Sequence, residues 1–264
     1  MRSARRLSVL LAALMSAQAL TGLVFQHQYR DEAWIRAAWY GNDWVTLLAA
    51  VPLLVLGLLG AARGSMRGLL IWLGVLGYAA YNYAFYLFGA ALNAFFLLYV
   101  LAFVIAVISL ILVLSSVDVS GLARSFRPET PVRIIGGLLA LIGVALGSVW
   151  VAMWAAHVFA GRPTPVGPEA FRLVAALDLS LMVPALTAGG VLLWRHAPWG
   201  YVLAAVASIQ GALYLLVLSV NAIVGIRRGL VKAPGELPIW GALMVLTTAL
   251  AVMLVASVRP QRLS

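Results

Sequence analysis

The 264-residue chain contains no cysteine. That excludes disulfides, thiolate nucleophiles, cysteine-held metals and iron–sulfur clusters. Charge is also scarce: only 10% of residues are Asp, Glu, Lys or Arg, against 64% hydrophobic residues, and mean hydropathy is +1.03. A soluble chain carries about 25% charged residues. Histidine occurs three times, at His27, His157 and His196, too few and too dispersed for a multi-histidine metal cluster. A paired-histidine haem would need His27 and His157 at facing depths, a condition they meet only loosely, and no cofactor or metal is expected. Lysine occurs once, at Lys232, in a loop containing glycine and proline. A retinal Schiff base, which needs a lysine inside a late helix, is therefore excluded. H-E-x-x-H, Walker and G-x-S-x-G motifs are absent as well, so no catalytic residue is assigned. Nor is there a dense acidic motif of the kind that binds lipid pyrophosphates.

What is present is apolar sequence in long runs. A membrane helix needs about 20 predominantly apolar residues. Runs of that kind lie near 7–25, 44–62, 68–88, 91–115, 134–159, 172–194, 198–223 and 238–258. The fold class expected is all-α: a polytopic integral membrane protein of eight transmembrane helices in one membrane domain. The first run, with Arg2, Arg5 and Arg6 before it and the triplet Ala17-Gln18-Ala19 inside it, resembles a signal peptide. Its apolar character continues through Phe25, and it is read as a retained first helix.

The net charge of +10 does not point to nucleic acid, because the basic residues stand singly or in pairs at the ends of the apolar runs. Such placement encodes topology. With a cytoplasmic N-terminus, Arg2, Arg5, Arg6, Arg63, Arg67, Arg124, Arg127, Arg133, Arg195, Arg259 and Arg262 fall on the cytoplasmic side. Arg30, Arg36, Arg162, Arg172, Arg227, Arg228 and Lys232 fall outside. The excess favours a cell-membrane protein with both termini cytoplasmic, although the Arg227–Arg228 pair runs against it.

VPLLVLGLLGAARGSMRGLL from Val51 and VPALTAGGVLLWRHAPWGYV from Val183 align without gaps and share six residues: Val51/Val183, Pro52/Pro184, Leu54/Leu186, Gly57/Gly189, Arg63/Arg195 and Gly68/Gly200. The offset, 132, is half the chain. An internal duplication is expected, with four-helix halves 1–120 and 133–264 joined by a cytoplasmic linker 116–133. Convergent use of proline and glycine, which membrane helices tolerate, is the competing explanation. Parallel repeats in transporters hold substrate between their halves.

Ionisable groups inside a membrane face a bundle interior or an aqueous cavity. Asp178, followed by Pro184 in its helix, is the first candidate for a substrate or proton site. A proline in that position leaves the carbonyl of Ser180 without its usual donor. Gln210, Tyr214, Val217 and Asn221 share one helix face by their spacing, as do Tyr78, Asn82 and Tyr86. His157 continues a stripe through Gly143, Gly147, Trp150 and Trp154, where an anchoring role competes with a functional one. Asn82, Tyr86, Asn93, His157, Asp178 and Asn221 all fall in the same half of the bilayer, which suggests an outward-facing polar cavity. Asn93 suits a helix cap, and Phe88 to Phe96 reads as an aromatic-trimmed turn. Asp31 to Trp44, with its three tryptophans, reads as a short interfacial helix lying on the membrane.

The leading expectation is small-molecule binding or transport through a cavity centred on Asp178, with Asn82, Tyr86, Asn221 and Gln210 as hydrogen-bonding partners. The alternatives are an enzyme acting on a lipid-like substrate, with His157 and Asp178 as an acid–base pair, and a non-catalytic subunit stabilising a protein partner. The expected partners are the lipid bilayer and a small-molecule or lipid ligand.

Overall fold

The structure, a computed structural model, describes residues 1–231 and 234–259. Lys232 and Arg262, both used in the charge comparison, lie outside the described residues. Among the latter all regular structure is helical. The helices are α1 (Arg2–Val24), α2 (Ala33–Val45), α3 (Val51–Ala62), α4 (Met66–Gly89), α5 (Phe96–Leu114), α6 (Val119–Arg124), α7 (Val132–Ala160), α8 (Pro168–Leu177), α9 (Val183–Trp194), α10 (Pro198–Arg227) and α11 (Leu237–Ser257). A π-helical segment, Thr46–Ala50, fuses α2 to α3, and another, Asp178–Met182, fuses α8 to α9. Eight helices result that are long and apolar enough to cross a membrane.

The two fused helices have a common cause. Pro52 and Pro184 have no N–H to give to the turn before them, so the ladder shifts there from i→i+4 to i→i+5. The N–H of Val51 reaches the carbonyl of Thr46, and that of Val183 reaches the carbonyl of Asp178. The disturbance expected at the proline is thus spread over a wide turn beginning at Asp178. The fusion corrects one expectation. Asp31 to Trp44 is not a separate helix on the membrane surface, because α2 runs directly into α3 and spans Ala33–Ala62. Trp39, Asn42, Asp43 and Thr46 stand at i, i+3, i+4 and i+7, one face of a helix, and are all buried.

Both fused helices end alike. Arg63 and Arg195 are the C-caps, and the following residues, Gly64 (φ 81°) and His196 (φ 56°), are left-handed. Each chain then turns back into a long helix, α4 or α10, whose starting residues Met66 and Pro198 are again 132 apart. Gly68 and Gly200 make these tight returns feasible. A Cβ on Gly68 would lie 2.6 Å from the backbone of Gly60 and Ala61, and one on Gly200 would collide with the backbone of Leu192 and Leu193.

Burial runs opposite to that of a soluble protein. Leu48, Leu97, Ile134 and Val245 are exposed, whereas tyrosines, asparagines and aspartates are inside. Lipid tails are as apolar as leucine, so helices associate through close van der Waals packing and interhelical hydrogen bonds. Small residues fit that requirement. Gly143 and Gly147, expected to permit a close approach, seat α7 against Thr187 and Val183 of α9, and Gly136 meets Gly190 backbone to backbone. Helices α4 and α10 form the centre of the bundle, in contact through Gly74 against Ile209 and Gly77 against Gln210. Helix α2 packs on α10 and α8 packs on α4, so each fused helix crosses to the opposite central helix.

One end of the bundle gathers the arginines assigned above to the cytoplasm. Arg67 donates to the carbonyls of Val258 (2.7 Å) and Ala256 (3.2 Å), and Arg5 donates to that of Ala61 (3.1 Å). The α6–α7 connection joins the end of α11 through Arg127 N–H to Ser257 O and Arg259 N–H to Ser125 O.

Candidate functional site

Two buried carboxyl clusters lie in the half of the bundle away from this arginine-rich end. The first surrounds Asp43, in the last turn of α2. Gln18 Nε2 (2.9 Å) and Tyr86 Oη (2.9 Å) donate to Oδ1, and Tyr29 Oη (2.7 Å) donates to Oδ2. Gln18 Nε2 also reaches Tyr29 Oη (3.1 Å), while Tyr83 Oη donates to Gln18 Oε1 (3.2 Å). Burial pushes the Tyr29 phenol above its usual range, which keeps it a donor. Trp39 stacks on Tyr86 (centroids 4.7 Å apart), and Tyr86 stacks on Tyr99 (5.0 Å). A Cβ on Gly22 would collide with Asp43 Oδ2 and Tyr29 Oη, so glycine is required where α1 passes the carboxylate.

The second cluster surrounds Asp178, at the start of the second π segment. Tyr81 Oη donates to Oδ1 (2.6 Å) and Trp150 Nε1 donates to Oδ2 (2.9 Å). Tyr214 meets the Tyr81 ring edge-on at 5.1 Å, tying α10 to the same cluster. Asp178 is 1% exposed.

Between the clusters, where α2, α4, α8 and α10 meet, lies a cavity of about 60 Å³. Tyr78, Tyr81 and Asn82 of α4, Tyr214 and Asn221 of α10, and Asn42 of α2 supply its polar wall. Neither the oxygen nor the nitrogen of the Asn42 side chain has a hydrogen-bond partner, nor have Asn82 Nδ2 and Tyr78 Oη, and all four atoms are buried. Thr46 Oγ1, at the start of the π segment one turn beyond Asn42, is also buried and lies beside the Tyr78 hydroxyl without a close hydrogen bond. Buried polar groups nearly always have partners, so this concentration is unusual. Asn221, with its amide oriented by the surrounding acceptors, donates to the Ala38 carbonyl (2.9 Å) and braces α10 against α2.

The candidate residues thus divide. Asn82 and Asn221 line the cavity. Asp178 stands behind Tyr81 as its hydrogen-bond acceptor. Tyr86, on the Asn82 face by spacing, gives its hydroxyl to Asp43 rather than to Asp178. Gln210 is buried with its side-chain oxygen against Gly77. His157 is on the outside of α7, its Nδ1 2.8 Å from the Arg162 carbonyl oxygen, and makes no hydrogen bond to Asp178. Asn93 supports the start of α5 by accepting from Phe95 N–H (2.8 Å).

Asp43 and Asn42 are absent from the sequence-derived candidates because the interfacial reading of 31–44 puts them at the membrane surface, and Gln18 and Tyr29, in α1 and the loop after it, are absent because nothing local marks them as partners of Asp43. The signal was the 39, 42, 43, 46 spacing, which continues the face of α2 into the apolar run.

The fold and its buried polar centre define a multi-pass membrane protein. No family model matches the chain, and no match occurs among curated proteins or solved structures.

Proposed function

We propose that this chain binds or transports a small polar molecule, with the cavity between α2, α4, α8 and α10 as the ligand site and Asp178 as its charge or proton site. The observation that carries the reading is the set of unpartnered amide and phenol groups around that cavity. Leaving a buried polar group unpaired costs about 1–3 kcal/mol. Several such groups around one space are accounted for by an occupant that hydrogen-bonds to them. The cavity has room for about two water molecules at ~30 Å³ each. A larger ligand therefore requires the fused helices to part from α4 and α10. Asp178 communicates with the cavity through Tyr81, whose ring lines it and whose hydroxyl bonds the carboxylate.

The proposed architecture is a four-plus-four parallel repeat, halves 1–120 and 133–264, around an axis between α4 and α10. Its support is local and repeated: both π segments, both prolines, both arginine caps and both left-handed residues recur at an offset of 132. A site at the interface of such halves is where parallel-repeat transporters hold substrate. The proposed orientation puts both termini in the cytoplasm of a cell-membrane protein. Among the described residues, ten arginines at that end face six at the other.

The test uses the full chain reconstituted in liposomes loaded with a pH-sensitive dye. A panel of small polar solutes (amino acids, polyols, amides and monosaccharides) is applied outside. A solute that moves protons, or that stabilises the detergent-solubilised protein, should lose its effect in Asn42→Leu/Asn82→Leu. Proton movement should be lost in Asp178→Asn. Solute effects unchanged in both variants would remove the cavity and Asp178 from the function.

A further inference from the structure

A second cavity lies at the arginine-rich end of the bundle, far from the polar centre. Its volume is about 550 Å³, and its walls are the first turn of α1, the α3–α4 turn, and the connection from α5 to α6. Arg5 and Arg63 line it from two different elements, and Asp118 is the one acidic residue in its wall. Asp118 is already engaged, because its Oδ1 caps α6 by accepting from Gly121 N–H (2.9 Å). Neither arginine is hydrogen-bonded to a carboxylate. Arg63 makes no side-chain hydrogen bond among the described residues, and Arg5 makes one, to the Ala61 carbonyl, while its Nε is buried without a partner.

We propose that this cavity binds a phosphate group, with the Arg5 and Arg63 guanidinium groups as its charged contacts. Two cations line one cavity and neither is hydrogen-bonded to a carboxylate, so an anion bound there would supply the missing counter-charge. A guanidinium offers five N–H donors in a planar fork that suits phosphate oxygens, and Arg5 commits only one group to the backbone. The N-terminus of the 24-residue helix α4 borders the cavity at Met66 and adds the positive end of its dipole. The space exceeds what a bare phosphate needs and accommodates a phosphate with a polar substituent. Leu56, Leu59 and Ile111 are exposed on α3 and α5, the helices that lead into the cavity walls, an apolar surface on which the acyl chains of a lipid ligand would lie. A phosphate there has two sources, an anionic lipid headgroup or a soluble phosphate, and basic pockets at helix ends recognise the former.

The experiment uses the delipidated full chain in a neutral detergent, with binding followed by native mass spectrometry and by thermal unfolding. The probes are dihexanoyl phosphatidic acid, dihexanoyl phosphatidylcholine and inorganic phosphate. The variants are Arg5→Gln/Arg63→Gln, which removes the charge, Ala62→Trp, which fills the cavity from an exposed position, and Arg124→Gln. The last removes a cation at the same end but outside the cavity. Phosphatidic acid should bind, and its affinity should fall at least tenfold in the first two variants while Arg124→Gln behaves as wild type. Inorganic phosphate binding with the same variant pattern would assign the soluble source instead. The proposal is overturned if no probe binds, if phosphatidylcholine binds as well as phosphatidic acid, or if Arg124→Gln weakens binding as much as Arg5→Gln/Arg63→Gln.

Discussion

Replacing Asp43 with alanine removes the acceptor for three buried donors at once: Gln18 Nε2, Tyr29 Oη and Tyr86 Oη. Interhelical hydrogen bonds in membranes average ~0.6 kcal/mol each and reach ~1.7 kcal/mol. Three of them place the expected destabilisation between about 2 and 5 kcal/mol, the upper part applying if the phenols find no replacement partner. Asp178→Ala frees two close donors, Tyr81 and Trp150, and loosens a more distant one, Tyr214, and should cost about 1–3 kcal/mol by the same reasoning. Asp43→Asn keeps one acceptor oxygen and should fall below Asp43→Ala. The assay is reversible unfolding in mixed micelles, followed by tryptophan fluorescence. Trp39, stacked on Tyr86 beside the cluster, reports on it directly, with Trp39→Phe as the spectral control. A loss below ~0.5 kcal/mol for Asp43→Ala, or a larger loss for Asp178→Ala, would refute the view that donor count sets the stability of these clusters.

Gly22→Ala should reproduce much of the Asp43→Ala defect without touching the carboxylate, because the new methyl occupies the position of Asp43 Oδ2 and Tyr29 Oη; unfolding in the same micelles checks it. Gly68→Ala and Gly200→Ala should each lower the yield of folded protein, read by size-exclusion chromatography, because both force a Cβ into the backbone of the preceding helix. Gly137→Ala, whose added carbon meets nothing within 4 Å beyond the neighbouring backbone of its own helix, should be neutral or stabilising by up to ~1 kcal/mol through helix propensity. Trp150→Phe should cost less than Asp178→Ala, since it frees one carboxylate oxygen and leaves the Tyr81 bond intact; the same unfolding series ranks them.

The helices were legible in the sequence because the physics of spanning a bilayer is local: about 20 apolar residues and flanking arginines suffice. All eight apolar runs correspond to helices, with ends displaced by a few residues. The exception is instructive. The second apolar run begins at residue 44, but its helix begins at Ala33, because Trp39, Asn42 and Asp43 are polar or amphipathic and are buried all the same, Asp43 with partners from α1, α4 and the loop between α1 and α2. Hydropathy lowers the score of a segment for carrying such residues. It cannot register that Gln18, Tyr29 and Tyr86 await the carboxylate. Pairing between helices escaped the sequence for the same reason. Tyr86 and Tyr81 are both on α4, five residues apart and therefore pointing in different directions, and nothing local assigns one to Asp43 and the other to Asp178.

The two carboxylates invite a comparison that the proposed duplication makes specific. The donor that α1 gives to Asp43 is Gln18, and the donor that α7 gives to Asp178 is Trp150, a pair separated by the same 132 residues as the prolines. Thr46 corresponds to Asp178 by that offset, and Asp43 lies one turn before Thr46 on the same face. If the halves share an origin, each carries a donor at the same place on its first helix and an acid near its π segment, the acids one turn apart by the offset. Asp43 acquired a third donor and a stack of aromatic rings, which suits a structural acid. Asp178 kept two, one of them from Tyr81 in the cavity wall, and it is the acid whose partners border unpaired amides. The proposed division of labour follows from the partners, with one acid enclosed among donors from three parts of the chain and the other placed one hydroxyl away from the proposed ligand site.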